Sequence, residues 1–466
     1  MSLAERLRAV VRPAGAGGDG PSGPPDSRPD EVAAVLGGEW REARGRSASA
    51  DRPASAGLSG RAATRPRYLV IDRTYPAGHR LGRVAVADCL PAADGVWPRL
   101  ELLMCGASGA GAPRGRLLFV DLETTGLAGG AGTYAFLVGF GWFEGATFRV
   151  RQFFLASYAA ERGLLEDVAG TVGAAGALVT YNGKAFDVPL IDTRFLFHRM
   201  EAPFSNLPHL DMLHPARRLW RSRSPWHVSA EAGERQATCR LTLLEQAVLG
   251  HVREGDVPGF EIPSRYFHYV RTGDARPLGG VLEHNRLDLL ALAMLTARAV
   301  RLLEEGAAGA RTAREALGLG RLYERGGLIA QARASFARAA EVDLNVRPYN
   351  DVDPLTPAEA LHAYAVLCRR ARRYGEAAEA WRRVLGLRGI PAHMALEATE
   401  GLAVHHEHRL RDLRAARQFA MEALQFNISA TRVQAVHHRL ARIDRKLGRP
   451  ERGRRPPPPP RSAPLF

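Results

Sequence analysis

Asp121 and Glu123 close the apolar stretch Leu-Leu-Phe-Val-Asp-Leu-Glu-Thr-Thr-Gly, which runs from Leu117 to Gly126. Side chains alternate faces along a strand, so two carboxylates separated by one residue point the same way. Held a few ångströms apart, such charges repel, and one pKa rises unless a divalent cation neutralises both. The chemistry open to this pair is metal binding through oxygen. A bare Asp-x-Glu at a strand end is also an ordinary surface pair, and only acids elsewhere in the chain decide between the two.

Two later stretches supply candidates. In Tyr181-Asn182-Gly183-Lys184-Ala185-Phe186-Asp187 a strand ends, Asn182 and Gly183 make a turn, and Asp187 opens a helix. An Asp at that place is most often a cap. Here the turn sets an amide, a flexible backbone and the cation Lys184 beside it, which suits phosphate. In Glu283-His284-Asn285-Arg286-Leu287-Asp288 the apolar spacing predicts a helix. Positions four apart share a helix face, so His284 and Asp288 meet at one site, a proton acceptor beside a metal ligand.

The elements that must position these groups are readable in outline. Strands are predicted at Tyr68–Ile71, Val84–Leu90, Ala135–Phe143, Thr147–Phe154, Ala177–Tyr181 and His209–Leu213, and helices at Tyr158–Val172, Leu241–Leu249 and Tyr266–Val270. Consecutive strands, a helix, then a strand belong to an α/β fold with a mixed sheet flanked by helices. The glycine-rich stretch after Gly126 lacks the Gly-Lys-Ser/Thr ending of a phosphate loop and is expected to be a plain loop.

The 466 residues exceed one ordinary domain, and the hydrophobic fraction of 46% fits folded domains. The four cysteines, Cys89, Cys105, Cys239 and Cys368, show no Cys-x-x-Cys pairing, which argues against a zinc ribbon or a disulfide framework. A net charge of +15 favours a polyanionic partner. No apolar run is of bilayer length and the first residues have no signal-peptide core, so no membrane association and a cytoplasmic location are expected.

Three motifs in this order, Asp121-Leu122-Glu123-Thr124-Thr125-Gly126, Tyr181 to Asp187, and His284 to Asp288, resemble those of the DEDD exonucleases of the ribonuclease H-like superfamily. The YprB-like branch is the most similar, and Asp256-Val257-Pro258-Gly259 with Ile262-Pro263 also looks like it. The resemblance implies a 3′-to-5′ nuclease acting on nucleic acid, single-stranded or at 3′ ends. It implies two divalent ions, Mg²⁺ or Mn²⁺, on Asp121, Glu123, Asp187 and Asp288, with His284 taking the proton from the attacking water. Thr124, Thr125, Gly126, Asn182, Lys184 and Asn285 are the expected substrate-binding positions. Histidine-type members usually place the His five residues before the final Asp; here the separation is four, so His284 takes the position of the tyrosine-type members, and Asn285 is a second candidate for positioning. Two other functions fit the same residues, a non-catalytic nucleic-acid-binding adaptor and a structure-specific endonuclease.

Beyond Arg311 the sequence becomes rich in Ala, Leu and Arg. Gly320, Tyr323, Ala332, Phe336 and Ala339, then Ala365, Cys368, Ala377, Trp381 and Val384, and a weaker unit with Val404, Glu407, Ala416, Ala420 and Ala423, have tetratricopeptide-like spacing. A plain helical bundle is the alternative. The expected layout is a disordered arm (1–66), a small β lobe or sheet extension with its linker (67–115), a ribonuclease H-like domain (116–306), a tetratricopeptide-like domain for a protein partner (307–447), and a Pro/Arg-rich tail (448–466).

Overall fold

In the computed structural model the described residues are 29–43, 66–89, 96–104, 115–126, 132–221, 239–341, 355–427 and 429–448. Most of the expected arm, the glycine-rich loop at 127–131 and the proline-rich tail lie outside them. The chain divides into two compact units. The first comprises Met1–Asp94, Ser108–Leu213 and Arg240–Arg298; the second comprises Gly95–Ala107, His214–Cys239 and Ala299–Phe466. Two stretches that a linear division assigns to the first domain and its linker thus fall in the second unit.

The first unit is built on a seven-stranded mixed sheet: β1 (Glu39–Glu42), β2 (Arg67–Tyr75), β5 (Arg116–Thr124), β6 (Ala135–Glu144), β7 (Thr147–Phe154), β8 (Ala175–Thr180) and β9 (His209–Asp211), in the order β1-β2-β7-β6-β5-β8-β9. The short pair β3 (Arg80–Leu81) and β4 (Val84–Ala85) stands apart. Neighbours are antiparallel from β1 through β5, and the pair β6–β7 is joined by a tight turn at Gly145, whose φ of 55° a glycine adopts without strain. The β5–β8 and β8–β9 pairs are parallel, their connections carrying helices. On β5, Leu118, Val120 and Leu122 enter the core; Phe119, Asp121 and Glu123 alternate with them onto the other face.

The helices of this unit are α1 (Pro29–Leu36), α2 (Glu161–Val172), α3 (Asp187–Phe197), α4 (Leu241–Leu244), α5 (Ile262–Thr272) and the first part of the long α6 (Leu278–Glu305). Two expectations are corrected. The arm is not featureless, since α1 and β1 fold within it: Val32 and Leu36 are buried in the core, and Trp40 of β1 pairs with Leu69 of β2. The strand expected at Val84–Leu90 stops after Ala85, because the Asp88 carboxylate accepts the Ala85 amide at 2.8 Å and closes a 3₁₀ turn over Val86–Cys89. The segment 67–75 is a sheet extension, paired along β7 from Leu69 to Tyr75.

The second unit is helical: α7 (Ala313–Arg325), α8 (Ile329–Glu341), α9 (Thr356–Arg370), α10 (Tyr374–Gly386), α11 (Ala392–His405), α12 (Leu413–Ala423) and α13 (Ala430–Leu447) follow one another in packed succession. Small residues set the spacing. A Cβ on Gly320 would lie 2.4 Å from the Phe336 ring, and one on Gly401 would lie 2.7 Å from that of Trp381. Ala365, Cys368, Ala377, Trp381 and Val384 share one buried cluster, whereas Val404 of the weakest predicted unit is exposed.

Within the first unit, α2 and α3 are tied by a buried ion pair: Arg194 donates from Nε and Nη2 to Glu161 at 2.6 and 2.5 Å, with side chains 1% and 4% exposed. Taking one partner away strands a charge in the core. Arg194→Met is therefore expected to cost about 3–5 kcal/mol, read from the urea midpoint, and adding Glu161→Leu is expected to restore most of that loss.

Candidate active site

The first carboxylate is fixed by the sheet register. Asp121 on β5 pairs with Gly139 on β6, which pairs with Gln152 on β7, so the three form one rung across the sheet. Asn285 of α6, fully buried, lies over Gly139. Its Nδ2 donates to the Asp121 carboxylate at 2.7 Å and to the Asp121 carbonyl at 3.1 Å, while its Oδ1 accepts from Gln152 Nε2 at 2.8 Å. Gln152 also donates to the Leu282 carbonyl at 2.8 Å, so the amide of Asn285 is oriented from both sides. A Cβ on Gly139 would sit 2.2 Å from Asn285 Oδ1. Only glycine leaves room for the clamp.

Asp187 is presented by the turn before it. Asn182 adopts a left-handed φ of 66°, which Asn tolerates better than most residues. The turn is held from below by Asp211 of β9, whose carboxylate accepts the amides of Asn182 at 2.7 Å, Lys184 at 3.2 Å and Leu213 at 3.1 Å. Lys184 is exposed there. Beside it His209 bonds Thr180 Oγ1 at 2.8 Å, and burial with the Lys184 charge lowers its pKa to about 4.

On α6, His284 Nε2 lies 3.7 Å from Asp288 Oδ2, one turn on, while Nδ1 is 2.7 Å from Asp256 Oδ1. Arg253, 4% exposed, reaches three carboxylates at once: it donates to Glu245 and Asp288, and to Asp256 at 3.2 Å. Thr124 and Thr125 are used in the exit turn of β5. Thr124 Oγ1 donates to the Gly126 carbonyl at 3.0 Å, and Thr125 Oγ1 accepts the Tyr134 amide at 2.9 Å. Among the described residues no atom lies within 4 Å of where a Gly126 Cβ would stand.

The acids feel one another. Burial first, then the charges of Asp288, Glu123 and Asp187, push the Asp121 carboxyl well above its ordinary range, opposed by the Asn285 bond. Glu123 is raised by burial and by Asp288, Asp187 and Asp256, with Arg253 opposing. Asp187 is raised to about 7 by burial, Asp211 and Asp288. An all-oxygen, multiply anionic donor set fits a hard divalent cation, which would remove this repulsion. Among the described residues no three His, Cys, Asp or Glu side chains are drawn into closed ligating geometry.

Residues 118–300 match the model of the RNase H superfamily. This domain is RNase H-like. The chain as a whole is 29% identical over 381 residues to the uncharacterized protein YprB of Bacillus subtilis (strain 168), covering 81% of this chain and 86% of that protein. The similarity therefore reaches beyond the RNase H-like domain. Such a fold points to nucleic-acid hydrolysis, and no helix among the described residues is long and apolar enough to cross a membrane.

Sequence reasoning placed no role on Arg253, Asp256, Glu245, Asp211, Gln152 or Gly139 in the RNase H-like domain. Asp256 carried a signal, in the Asp-Val-Pro-Gly stretch. Gln152 is a polar residue inside an otherwise apolar strand end, and Asp211 follows a short strand. Nothing local marks Arg253 or Gly139.

Two outcomes follow from this geometry. Between about pH 4 and 7 the folded state holds a proton on Asp187 that the unfolded chain has released, so stability falls as pH rises through that window. In chelator, Asp187→Asn is expected to reduce that pH dependence, Asp121 and Glu123 retaining their share, and to raise stability at pH 7.5 by roughly 1–3 kcal/mol, measured by urea unfolding. Gly139→Ala is expected to destabilise by about 1–3 kcal/mol in the same measurement, because Asn285 must leave its place.

Proposed function

We propose that the chain is a metal-dependent 3′-to-5′ exonuclease that hydrolyses phosphodiester bonds at the ends of single-stranded nucleic acid. The observation that carries the reading is the gathering of Asp121, Glu123, Asp187 and Asp288, from a strand and two helices, into mutual electrostatic contact on an RNase H-like sheet. Bound Mg²⁺ or Mn²⁺, two ions on these four carboxylates, supplies charge neutralisation at the scissile phosphate and a nucleophilic water at neutral pH.

The chain's own groups do the rest. His284 takes the proton of the attacking water. Its Nδ1 is engaged by Asp256, which orients the ring and leaves Nε2 on the side of Asp288. Asn285 keeps Asp121 in one rotamer. Lys184, on a turn fixed by Asp211, offers a cation to the phosphate backbone, and Asn182 and the Thr124-Thr125-Gly126 turn border its path. The helical unit contributes binding, to a partner or ligand, and not chemistry.

The test uses single strands of DNA and RNA labelled at either end, with Mg²⁺, Mn²⁺ or chelator, for the wild type and Asp121→Asn. Stepwise shortening from the 3′ end is expected with either metal and none with chelator. Loss of one metal-holding carboxylate is expected to slow cleavage by roughly 10³-fold, the equivalent of several kcal/mol. Internal fragments would identify an endonuclease instead. Intact strands under every metal would leave a nucleic-acid-binding scaffold.

A further inference from the structure

Away from the carboxylates, the second unit contains a cavity of about 600 Å³, a volume typical of sites for small organic ligands. Its charged lining is dominated by Arg369, Arg409, Arg432 and Arg439, set against Glu397 and Glu400. Arg369 lies 4.0 Å from Glu397, Arg432 is 3.2 Å from Glu400, and Arg439 is 3.2 Å from Glu407. Arg409 is different. Its guanidinium stacks 3.7 Å above the centre of the Tyr374 ring, and among the described residues no carboxylate answers its charge. A cation held over a ring in this way keeps N–H donors for a further acceptor.

A second observation comes from Trp381, which lines the same cavity. Its side chain is 3% exposed and its Nε1 has no hydrogen-bond partner. Gly401 lies directly against the indole, so the ring is held in place by packing. His405, on the cavity wall, likewise has an unpartnered, buried Nδ1. The indole N–H is a buried donor without an acceptor, which is costly, and the His405 nitrogen is a second polar atom left unanswered on the same wall.

We propose that this cavity binds a phosphate-bearing nucleotide unit, with the Arg409 guanidinium on the phosphate and the Tyr374 ring beside the base. A surplus arginine with oriented donors matches phosphate oxygens. The Tyr374 ring beside these arginines matches a planar base, which an acidic peptide does not offer. The helical unit thereby has a ligand of its own, chemically related to the substrate proposed for the other unit but held at a separate site. The nucleotide unit comes either from a free nucleotide or from within a single strand.

Photocross-linking tests this by position. Full-length protein carrying Asp121→Asn is irradiated with single-stranded DNA containing 4-thiothymidine, and separately with 4-thiothymidine 5′-monophosphate, and the cross-linked peptides are mapped by mass spectrometry. Adducts are expected on the peptides carrying Tyr374 or Trp381, and their yield is expected to fall about fivefold or more in Arg409→Ala; Arg409 is exposed but covers the Tyr374 ring, so the variant's urea midpoint is measured alongside and is expected to match the parent's. Adducts with the strand alone identify the strand as the source, and adducts with the mononucleotide identify the free nucleotide. Adducts confined to residues 118–300, a yield unchanged by Arg409→Ala, or displacement by a poly-glutamate peptide and not by nucleotide would overturn the proposal. The readout is an adduct's place in the chain, so its failure is distinguishable from failure of the cleavage assay.

Discussion

Crowded carboxylates in a buried place are the constraint on which the rest of the first unit depends. Burial first, and then the charges of the neighbouring carboxylates, Asp288 among them, raise the proton affinity of Asp121, Glu123 and Asp187. A fold that gathered them without compensation would be driven apart or protonated. Two devices oppose this. Arg253 places one guanidinium among Glu245, Asp256 and Asp288, and Asn285 gives Asp121 a neutral donor that favours its charged form.

Those devices in turn depend on sheet register. The rung Asp121, Gly139, Gln152 puts an acid, a gap and an amide side by side, and the gap admits Asn285 from α6. A shift of one residue in β6 would bring Phe140 or Val138 opposite Asp121 and shut the amide out. The helix is tied to the sheet at the place where its His284 and Asp288 must face the strand acids. Stability and chemistry here share the same contacts: Asn285 and Gln152 are buried, and the Asn285 amide and the Gln152 Nε2 are spent on named partners.

The helical unit follows a different logic. Close packing through Gly320 against Phe336 and Gly401 against Trp381 makes a tight stack of helices, and small residues carry most of it. Arginines then cover its polar faces, several of them answered by glutamates such as Glu359, Glu397, Glu400 and Glu407. Of the four arginines around the cavity Arg409 departs from that pattern, and the unpartnered Trp381 lines the same cavity.

The sequence by itself determined the pieces whose meaning is local. Period-two and helical patterns placed β5 to β8, α2 and α3, and short spacings marked Asp121 with Glu123, the turn before Asp187, and His284 one turn from Asp288. Such motifs are legible because neighbours in the chain are neighbours in space. The tertiary structure alone decided that β1 and α1 join the core, that Asp211 supports the Asn182 turn from another strand, and that Arg253 serves a helix 35 residues away. It also decided that Gly139 must be glycine, a requirement imposed by Asn285 across the sheet. These contacts join residues far apart in the chain, and what brings them together is sheet pairing and helix packing, which no short stretch of sequence encodes.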